Sequence, residues 1–317
     1  MILSVSRRTD IPAFYSEWFM NRLREGYVCV RNPMNYHQVS KVTLNPGVID
    51  CIVFWTKNAA PLLPCLAEIR EKYPVCFQYT LNAYGKDIEP ALPSLEDRLS
   101  AFCELSDQLG ARAVIWRYDP VLLSDTYTVA WHIGRFRAIA EALRGKTHTC
   151  VFSFLDIYDK IKRTIREGRL RACTAEEMDE IAAAFAAIAR QCEMELRTCA
   201  ETIDLDHHGI RHGACIDGEL IAQLTGWTMK ARKDPNQRTE CRCLESIDIG
   251  QYNTCRHGCK YCYATFSPQS VITFARQHDP ASPFLTGTAD ALDIITERKM
   301  KSLKHERITS EQLSLFR

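Results

Sequence analysis

The sequence has almost no net charge, no long apolar run, no internal repeat and no low-complexity tract. Its 317 residues include 40 Lys and Arg against 39 Asp and Glu, so no overall field draws the chain to nucleic acid or to a membrane. The apolar run at Ala182–Ala189 is too short to cross a bilayer and is typical of a buried helix face. Met1–Pro12 carries Arg7, Arg8 and Asp10 where a signal peptide has an apolar stretch. These absences predict a cytoplasmic globular protein without a membrane partner.

The first two hundred residues alternate short β-branched or aromatic runs with helical patterns. No Gly-x-Gly-x-x-Gly follows the first run, which argues against a doubly wound dinucleotide-binding sheet. The predicted strands are Ile2–Val5, Ile49–Trp55, Val75–Leu81, Ala113–Tyr118, Cys150–Leu155 and Met194–Thr198. We therefore predict an α/β fold, a partial TIM-like parallel barrel of about six strands.

Helix caps and a change in composition indicate how the chain is organised. Ser94 is the predicted N-cap of a helix that ends at Gly110, and Thr174 with Glu177 forms a capping box before an alanine-rich helix. Beyond about residue 200 the periodicity fades. We expect the partial barrel over residues 1–200, a cysteine-rich region that completes the site over 201–270, and a C-terminal extension over 271–317.

Polar side chains follow several of the predicted strands at their C-terminal ends. They are Ser6–Asp10, Thr56–Asn58, Asn82, Arg117, Asp119, Asp156 and Glu201. A parallel α/β barrel builds its site at this end of its strands. The pattern therefore predicts a functional site there, although any one of these residues could equally be an ordinary polar loop residue.

Cysteine is the residue present in excess. Of 15 cysteines, eight lie singly in the first two thirds of the chain, and seven lie between Cys199 and Cys262. A reducing compartment keeps thiols from pairing, so this crowding indicates metal or redox chemistry rather than a disulfide framework.

Three of the seven cysteines form the spacing Cys255-x3-Cys259-x2-Cys262. Three thiolates on one loop can bind three irons of a cubane cluster and leave the fourth iron without a protein ligand. The alternative is a zinc site that His257 or a distant residue completes.

The triplet, with Tyr261 before its last cysteine, resembles the signature of the radical S-adenosylmethionine (SAM) superfamily. The wider stretch Tyr252–Ala264 is similar to the spore photoproduct lyase branch. From Ile2 onward the chain resembles a bacterial radical-SAM-like family to which no reaction is assigned. In the superfamily the triplet follows the first barrel strand, whereas here it lies in the last quarter of the chain. Leu244–Ile249 could be the strand that precedes it, in a circularly permuted barrel.

The resemblance implies a radical SAM enzyme that uses a [4Fe–4S] cluster on Cys255, Cys259 and Cys262. The open iron chelates SAM, and an electron from a flavodoxin- or ferredoxin-type donor cleaves it to a 5′-deoxyadenosyl radical that takes hydrogen from a substrate. The residues expected to bind SAM are Tyr261 at the adenine, Lys57 or Arg117 at the methionine carboxylate, and Asn82 at a neighbouring strand end. For Lys57 and Arg117 the alternative is a surface salt bridge.

Four further cysteines predict a second metal site. Cys199, Cys215, Cys241 and Cys243 make up one complete Cys₄ set, which suits a second [4Fe–4S] cluster or a zinc ion. His207, His208 and His212 offer other zinc ligands. Reduced thiols without a metal are the remaining interpretation.

The last residues of the sequence carry another pattern. Gln312-Leu313-Ser314-Leu315-Phe316 resembles the pentapeptide with which bacterial replication and repair proteins bind the DNA sliding clamp. Leu315 and Phe316 would enter an apolar pocket while Gln312 fixes the orientation. The alternative is that these side chains pack on the chain's own surface.

Three functions are consistent with these patterns. The first is radical SAM modification or repair of nucleic acid, for which the likeness to a DNA lyase, the clamp-like tail and the basic stretch Arg298–Arg307 argue. The second is radical SAM modification of a peptide or small molecule. The third is a non-catalytic iron–sulfur or zinc module associated with DNA.

We predict that deletion of residues 312–316 abolishes binding to a bacterial sliding clamp and leaves any SAM cleavage unchanged. The affinity should be roughly micromolar, because a short peptide buries little surface and must be ordered on binding. Phe316→Ala should weaken clamp binding more than Ser314→Ala, since the apolar anchor carries most of the energy. Pull-down and calorimetry check this. A deletion that lowers the melting temperature without affecting clamp retention would contradict it.

Overall fold

The computed structural model describes residues 1–308 and contains a large parallel sheet of eight strands. Its strands, numbered along the chain and given in spatial order, are β11 (Ile247–Asp248), β1 (Ile2–Val5), β4 (Cys51–Thr56), β5 (Val75–Thr80), β6 (Val114–Val121), β7 (Thr149–Phe154), β8 (Glu195–Cys199) and β9 (Arg211–Gly213). All neighbouring pairs in this sheet are parallel. Their C-terminal ends therefore meet along one edge.

Two small sheets and the helices surround the large sheet. One small sheet contains β2 (Tyr27–Asn32), β3 (Asn35–Thr43) and β12 (Ile294–Glu297), and the other pairs β10 (Trp227–Met229) with β13 (Lys304–Arg307). The helices are α1 (Ile11–Phe14), α2 (Ser16–Glu25), α3 (Leu66–Arg70), α4 (Leu95–Leu109), α5 (Val129–Ala142), α6 (Lys162–Glu167), α7 (Ala175–Gln191), α8 (Gly218–Thr225) and α9 (Pro268–Arg276).

The two faces of the large sheet are covered by different parts of the chain. Side chains alternate between faces along each strand. Phe77 and Trp116 belong to the main core, to which α2, α3, α4, α5 and α7 contribute. Ile115 and Val151 point the other way and pack in a second cluster with Ile221 of α8 and the cysteine-rich segments. The helices that connect the central strands thus lie on one face, and the late segments of the chain cover the other.

The structure confirms the predicted parallel strands of this sheet, but the predicted number of strands is too low. Each of the six predicted strands is present within a few residues of its expected bounds. The sheet has eight strands rather than about six, because β9 and β11 have three and two residues, too few to show an alternating pattern. A strand preceding the Cys255 loop was predicted within Leu244–Ile249, and β11 confirms it. Within residues 1–308 the sheet is open between β11 and β9, so the expected barrel closure is not seen.

The helix predictions agree with the structure at their caps. Ser94 accepts a hydrogen bond from the Asp97 N–H, and Thr174 with Glu177 completes the capping box of α7. The apolar run noted in the sequence lies in α7 and is mostly buried. Across residues 1–308, no helix combines the length and apolar character that a membrane span requires. The basic stretch Arg298–Arg307 contains β13.

We predict that Phe185→Ala lowers the free energy of unfolding by about 3–5 kcal/mol. Phe185 of α7 is fully buried and stacks on Phe136 of α5 with ring centroids 3.8 Å apart, so truncation leaves a cavity between the two helices and the sheet. Urea unfolding followed by circular dichroism measures the loss. Glu180→Ala, at an exposed position of the same helix, is the control and should change stability by less than about 0.5 kcal/mol. Equal effects of the two substitutions would contradict the packing described here.

Candidate functional site

A cavity of about 440 Å³ lies at the C-terminal edge of the large sheet, where the sequence predicted a site. Predicted strand-end residues in its wall are Ser6–Asp10, Thr56, Lys57, Arg117, Asp119 and Asp156. Asn82 and Glu201 do not line the cavity but contact residues that do. Asn82 Nδ2 donates to the Asp119 carbonyl, and Glu201 accepts a hydrogen bond from the Phe154 N–H. Asn58 is not a wall residue, and its N–H donates to Thr56 Oγ1.

The loop with Cys255, Cys259 and Cys262 forms one side of this cavity, and all three cysteines are wall residues. Between β11 and this loop the chain passes close to the end of β1, since a Cβ at Gly250 would overlap Ser6 Oγ. Burial raises the pKa of the Cys255 and Cys259 thiols. The protein alone therefore favours protonated thiols, and a metal would displace these protons on binding.

Asp10 connects the cysteine loop to the sheet. Its carboxylate accepts hydrogen bonds from the Thr56 hydroxyl at 2.8 Å and from the Lys57 N–H at 2.7 Å, both at the end of β4. It also caps α1 through the Ala13 N–H. His257 Nε2 lies 2.8 Å from Asp10 Oδ2, and both side chains are buried. This contact sets the position of the segment between Cys255 and Cys259.

Three of the four residues expected to bind SAM converge beside Cys259. Lys57 Nζ donates to Tyr261 Oη at 2.7 Å, and Asn82 Nδ2 donates to the same oxygen at 3.3 Å. Glu89, which sequence reasoning missed, accepts hydrogen bonds from both Lys57 and the Tyr261 hydroxyl. Burial lowers the pKa of Lys57, but Glu89 and the neighbouring Cys259 together outweigh it and the pKa is raised. Lys57 is therefore a half-buried cation that already has a carboxylate partner.

Arg117, the fourth of these residues, lies with the second set of cysteines. Its Nη1 donates to Cys215 Sγ at 2.7 Å, and its guanidinium pairs with Asp119. Arg7 and Arg117 both lie over the Trp55 ring, with guanidinium carbons 5.3 and 5.6 Å from its centroid. Arg7 pairs with Asp234 at 3.7 Å, so both of these cations have a carboxylate partner.

The structure brings together the four cysteines predicted for a second site. Cys199 Sγ lies 3.0 Å from Cys215 Sγ, and Cys243 Sγ accepts the N–H groups of Cys215 and Ile216. Cys241 also contacts Cys243, and all four cysteines line the same cavity. The hydrogen bond with Cys215 lowers the pKa of Cys199 to about 7. The four thiols supply the number and kind of donors that a Cys₄ metal group takes.

The histidines considered as other zinc ligands have different partners. His207 and His208 each lie within hydrogen-bond distance of Asp179 on α7, at 2.7 and 2.9 Å. His212 Nδ1 contacts the Thr198 hydroxyl. Within residues 1–308 His257 Nδ1 is buried without a hydrogen-bond partner, so the zinc alternative at the triplet stays chemically open.

Two side chains at the candidate site, Glu89 and Asp248, are not among the predicted site residues. Glu89 lies in a loop that precedes α4, and only the fold brings it against Tyr261. Asp248 accepts hydrogen bonds from Ser4, Ser6 and the Arg7 N–H, and it ends a strand too short for pattern reasoning. A polar strand-end rule applied to β11 would have found Asp248, but no local pattern indicates Glu89.

A family model described as "Domain of unknown function (DUF1848)" matches residues 2–264. The chain belongs to this family. No curated protein matches the chain. The DUF1848 span contains every strand of the large sheet and both cysteine sets, and it ends two residues after Cys262. The candidate site is therefore built wholly from DUF1848 residues, whereas α9, β12 and β13 lie outside the matched span.

We predict that protein with the three triplet cysteines replaced by alanine still binds metal at Cys199, Cys215, Cys241 and Cys243. These sulfurs lie close together without any contact from the triplet, so the second set should bind its metal independently. Metal analysis of anaerobically purified protein measures iron and zinc per chain. The control replaces all seven cysteines and should contain neither metal. Loss of all metal from the triplet variant would contradict an independent second site.

Proposed function

We propose that this protein is a radical SAM enzyme that holds a [4Fe–4S] cluster on Cys255, Cys259 and Cys262. The observation that carries the proposal is the position of these three thiols, on one loop at the C-terminal edge of a parallel sheet and in the wall of one cavity. The donor set fits the group, because three thiols leave a coordination position for SAM. When bound, the cluster supplies the electron for reductive cleavage of SAM and the radical chemistry that follows.

The chain's own residues would bind and orient SAM beside this loop. Tyr261, Lys57 and Asn82 share one hydrogen-bonded cluster next to Cys259 and are the proposed contacts. Arg117 is a further candidate for the methionine carboxylate, since it too is a wall residue. Apolar wall residues such as Phe154 and Leu155 reduce the access of water to the reacting atoms. An external donor of the flavodoxin or ferredoxin type would supply the electron.

We further propose that the large sheet is a partial, circularly permuted barrel. The connecting helices on one face and the cysteine-rich segments on the other are typical of a barrel wall rather than of a doubly wound sheet, which has helices on both faces. β11 comes late in the chain but pairs with β1 at the edge of the sheet. It therefore occupies the spatial position of a first strand, directly before the cysteine loop.

The substrate class that we propose is nucleic acid, either modified or repaired by hydrogen abstraction. The support is the resemblance of Tyr252–Ala264 to the spore photoproduct lyase branch and the clamp-like residues Gln312–Phe316, which lie outside the described residues. The second cysteine set borders the same cavity, so a substrate there would lie between two metal groups. This arrangement also suits a peptide or small molecule, which is the second candidate.

We predict that reduced, reconstituted protein cleaves SAM to 5′-deoxyadenosine and methionine, and that alanine substitution of the three triplet cysteines abolishes this activity. Without these thiols the cluster has no protein ligand. Liquid chromatography measures the products, and visible absorption reports the cluster. The matched control replaces Cys65 and Cys103, half-buried cysteines that do not border the cavity, and should keep full activity.

Full SAM cleavage by the triplet variant would refute the central proposal. A different result, an intact cluster with no SAM cleavage in the unmodified protein, would instead favour a non-catalytic iron–sulfur module.

A further inference from the structure

Exposed aromatic rings lie at the cavity and beside it. Tyr158 and Tyr263 are 37% and 42% exposed, border the cavity and lie with ring centroids 5.7 Å apart. Phe266 is 40% exposed and lies beside Tyr252, with centroids 6.4 Å apart. Exposed rings grouped at a cavity mouth offer flat surfaces on which planar ligands can stack.

Cations lie among these rings. Lys160 Nζ is 4.3 Å from the Phe266 centroid and 5.5 Å from that of Tyr252. The Arg8 guanidinium lies over the other side of the group, 5.4 Å from the Tyr252 centroid. We call these six residues the mouth ring: Arg8, Tyr158, Lys160, Tyr252, Tyr263 and Phe266.

A basic segment continues from the mouth ring through α6. Residues 157–171 contain six basic and two acidic side chains, in a chain whose net charge is only +1. Nearby carboxylates form ion pairs with Lys162, Arg163 and Arg171. Among residues 1–308 no carboxylate lies within ion-pair distance of Lys160, Arg166 or Arg169, and all three are exposed. The segment therefore concentrates cations that are available to an anionic ligand.

Arg7, which lines the cavity, has a buried N–H group without a hydrogen-bond acceptor among the described residues. This group is on Nη2. A buried donor without a partner is costly, and an acceptor on a bound ligand would satisfy it. The cavity volume of about 440 Å³ lies in the range of small-molecule sites and is too small for a duplex.

We propose that the mouth ring and segment 157–171 bind single-stranded DNA. Bases would stack on Tyr158, Tyr263 and Phe266, phosphates would lie along the basic segment, and one unstacked nucleotide would enter the cavity toward Arg7. Aromatic rings together with cations suit single strands, because a base inside a duplex has no free face to stack. DNA is favoured over RNA by the clamp-like Gln312–Phe316. This inference rests on the proposed function, since it takes the strand as the substrate.

Fluorescence anisotropy with labelled oligothymidine tests the surface. We expect Tyr158→Ala and Phe266→Ala each to weaken binding roughly five- to tenfold, through loss of a stacking partner. Lys160→Gln and Arg166→Gln should each lower the slope of log Kd against log salt by about 0.7, the value for one phosphate contact on a single strand. Melting temperatures of all variants should stay near that of the unmodified protein, because these side chains are exposed or half-exposed.

Matched controls lie elsewhere on the surface. Tyr36→Ala removes a tyrosine that is 58% exposed on β3, and Arg190→Gln removes an exposed cation of α7; neither should change binding or its salt dependence. Equal binding by all variants, or tighter binding of oligouridine or of duplex DNA, would overturn the proposal.

SAM cleavage without DNA is measured for every variant and should be unchanged, because none of these residues is assigned to the cluster or to SAM. SAM cleavage without oligothymidine binding would refute the DNA-binding surface and leave the enzyme proposal intact. Oligothymidine binding without SAM cleavage would refute the enzyme proposal and leave the DNA-binding surface intact.

Discussion

A single buried carboxylate holds the candidate site together. Asp10 receives hydrogen bonds from the end of β4, caps α1 and contacts His257 within the cysteine loop, so three parts of the chain depend on one side chain. A buried carboxylate is stable only when its oxygen atoms accept hydrogen bonds, as those of Asp10 do here. The loop thereby acquires a defined position relative to the strand ends, and the remaining wall residues are arranged around it.

Long strands and cysteine spacing were readable in the sequence, and contacts between distant loops were not. Runs such as Val75–Leu81 alternate clearly because one face packs on helices and the other on the cysteine-rich segments. β9 and β11 are too short to show a period, although they carry the edges of the sheet. The strand-end rule located the cavity correctly, whereas Glu89 could not be found, since its partners become neighbours only after folding.

The two cysteine sets have different electrostatic surroundings although they border one cavity. The triplet lies beside Glu89, whose carboxylate pairs with both Lys57 and Arg98. The second set lies beside Arg7 and Arg117, which pair with Asp234 and Asp119. In the second set a guanidinium also donates directly to a cysteine sulfur, from Arg117 to Cys215.

The late position of β11 has a consequence for how the protein matures. Leu3 pairs with Ile247, so the edge of the sheet joins residues from opposite ends of the matched family span. During synthesis the strands from β1 to β9 are available long before β11 emerges. The cysteine loop, which follows β11, can reach the strand ends only after most of the sheet exists. A metal bound at the triplet, as proposed above, would therefore need this late segment of the chain to have joined the sheet first.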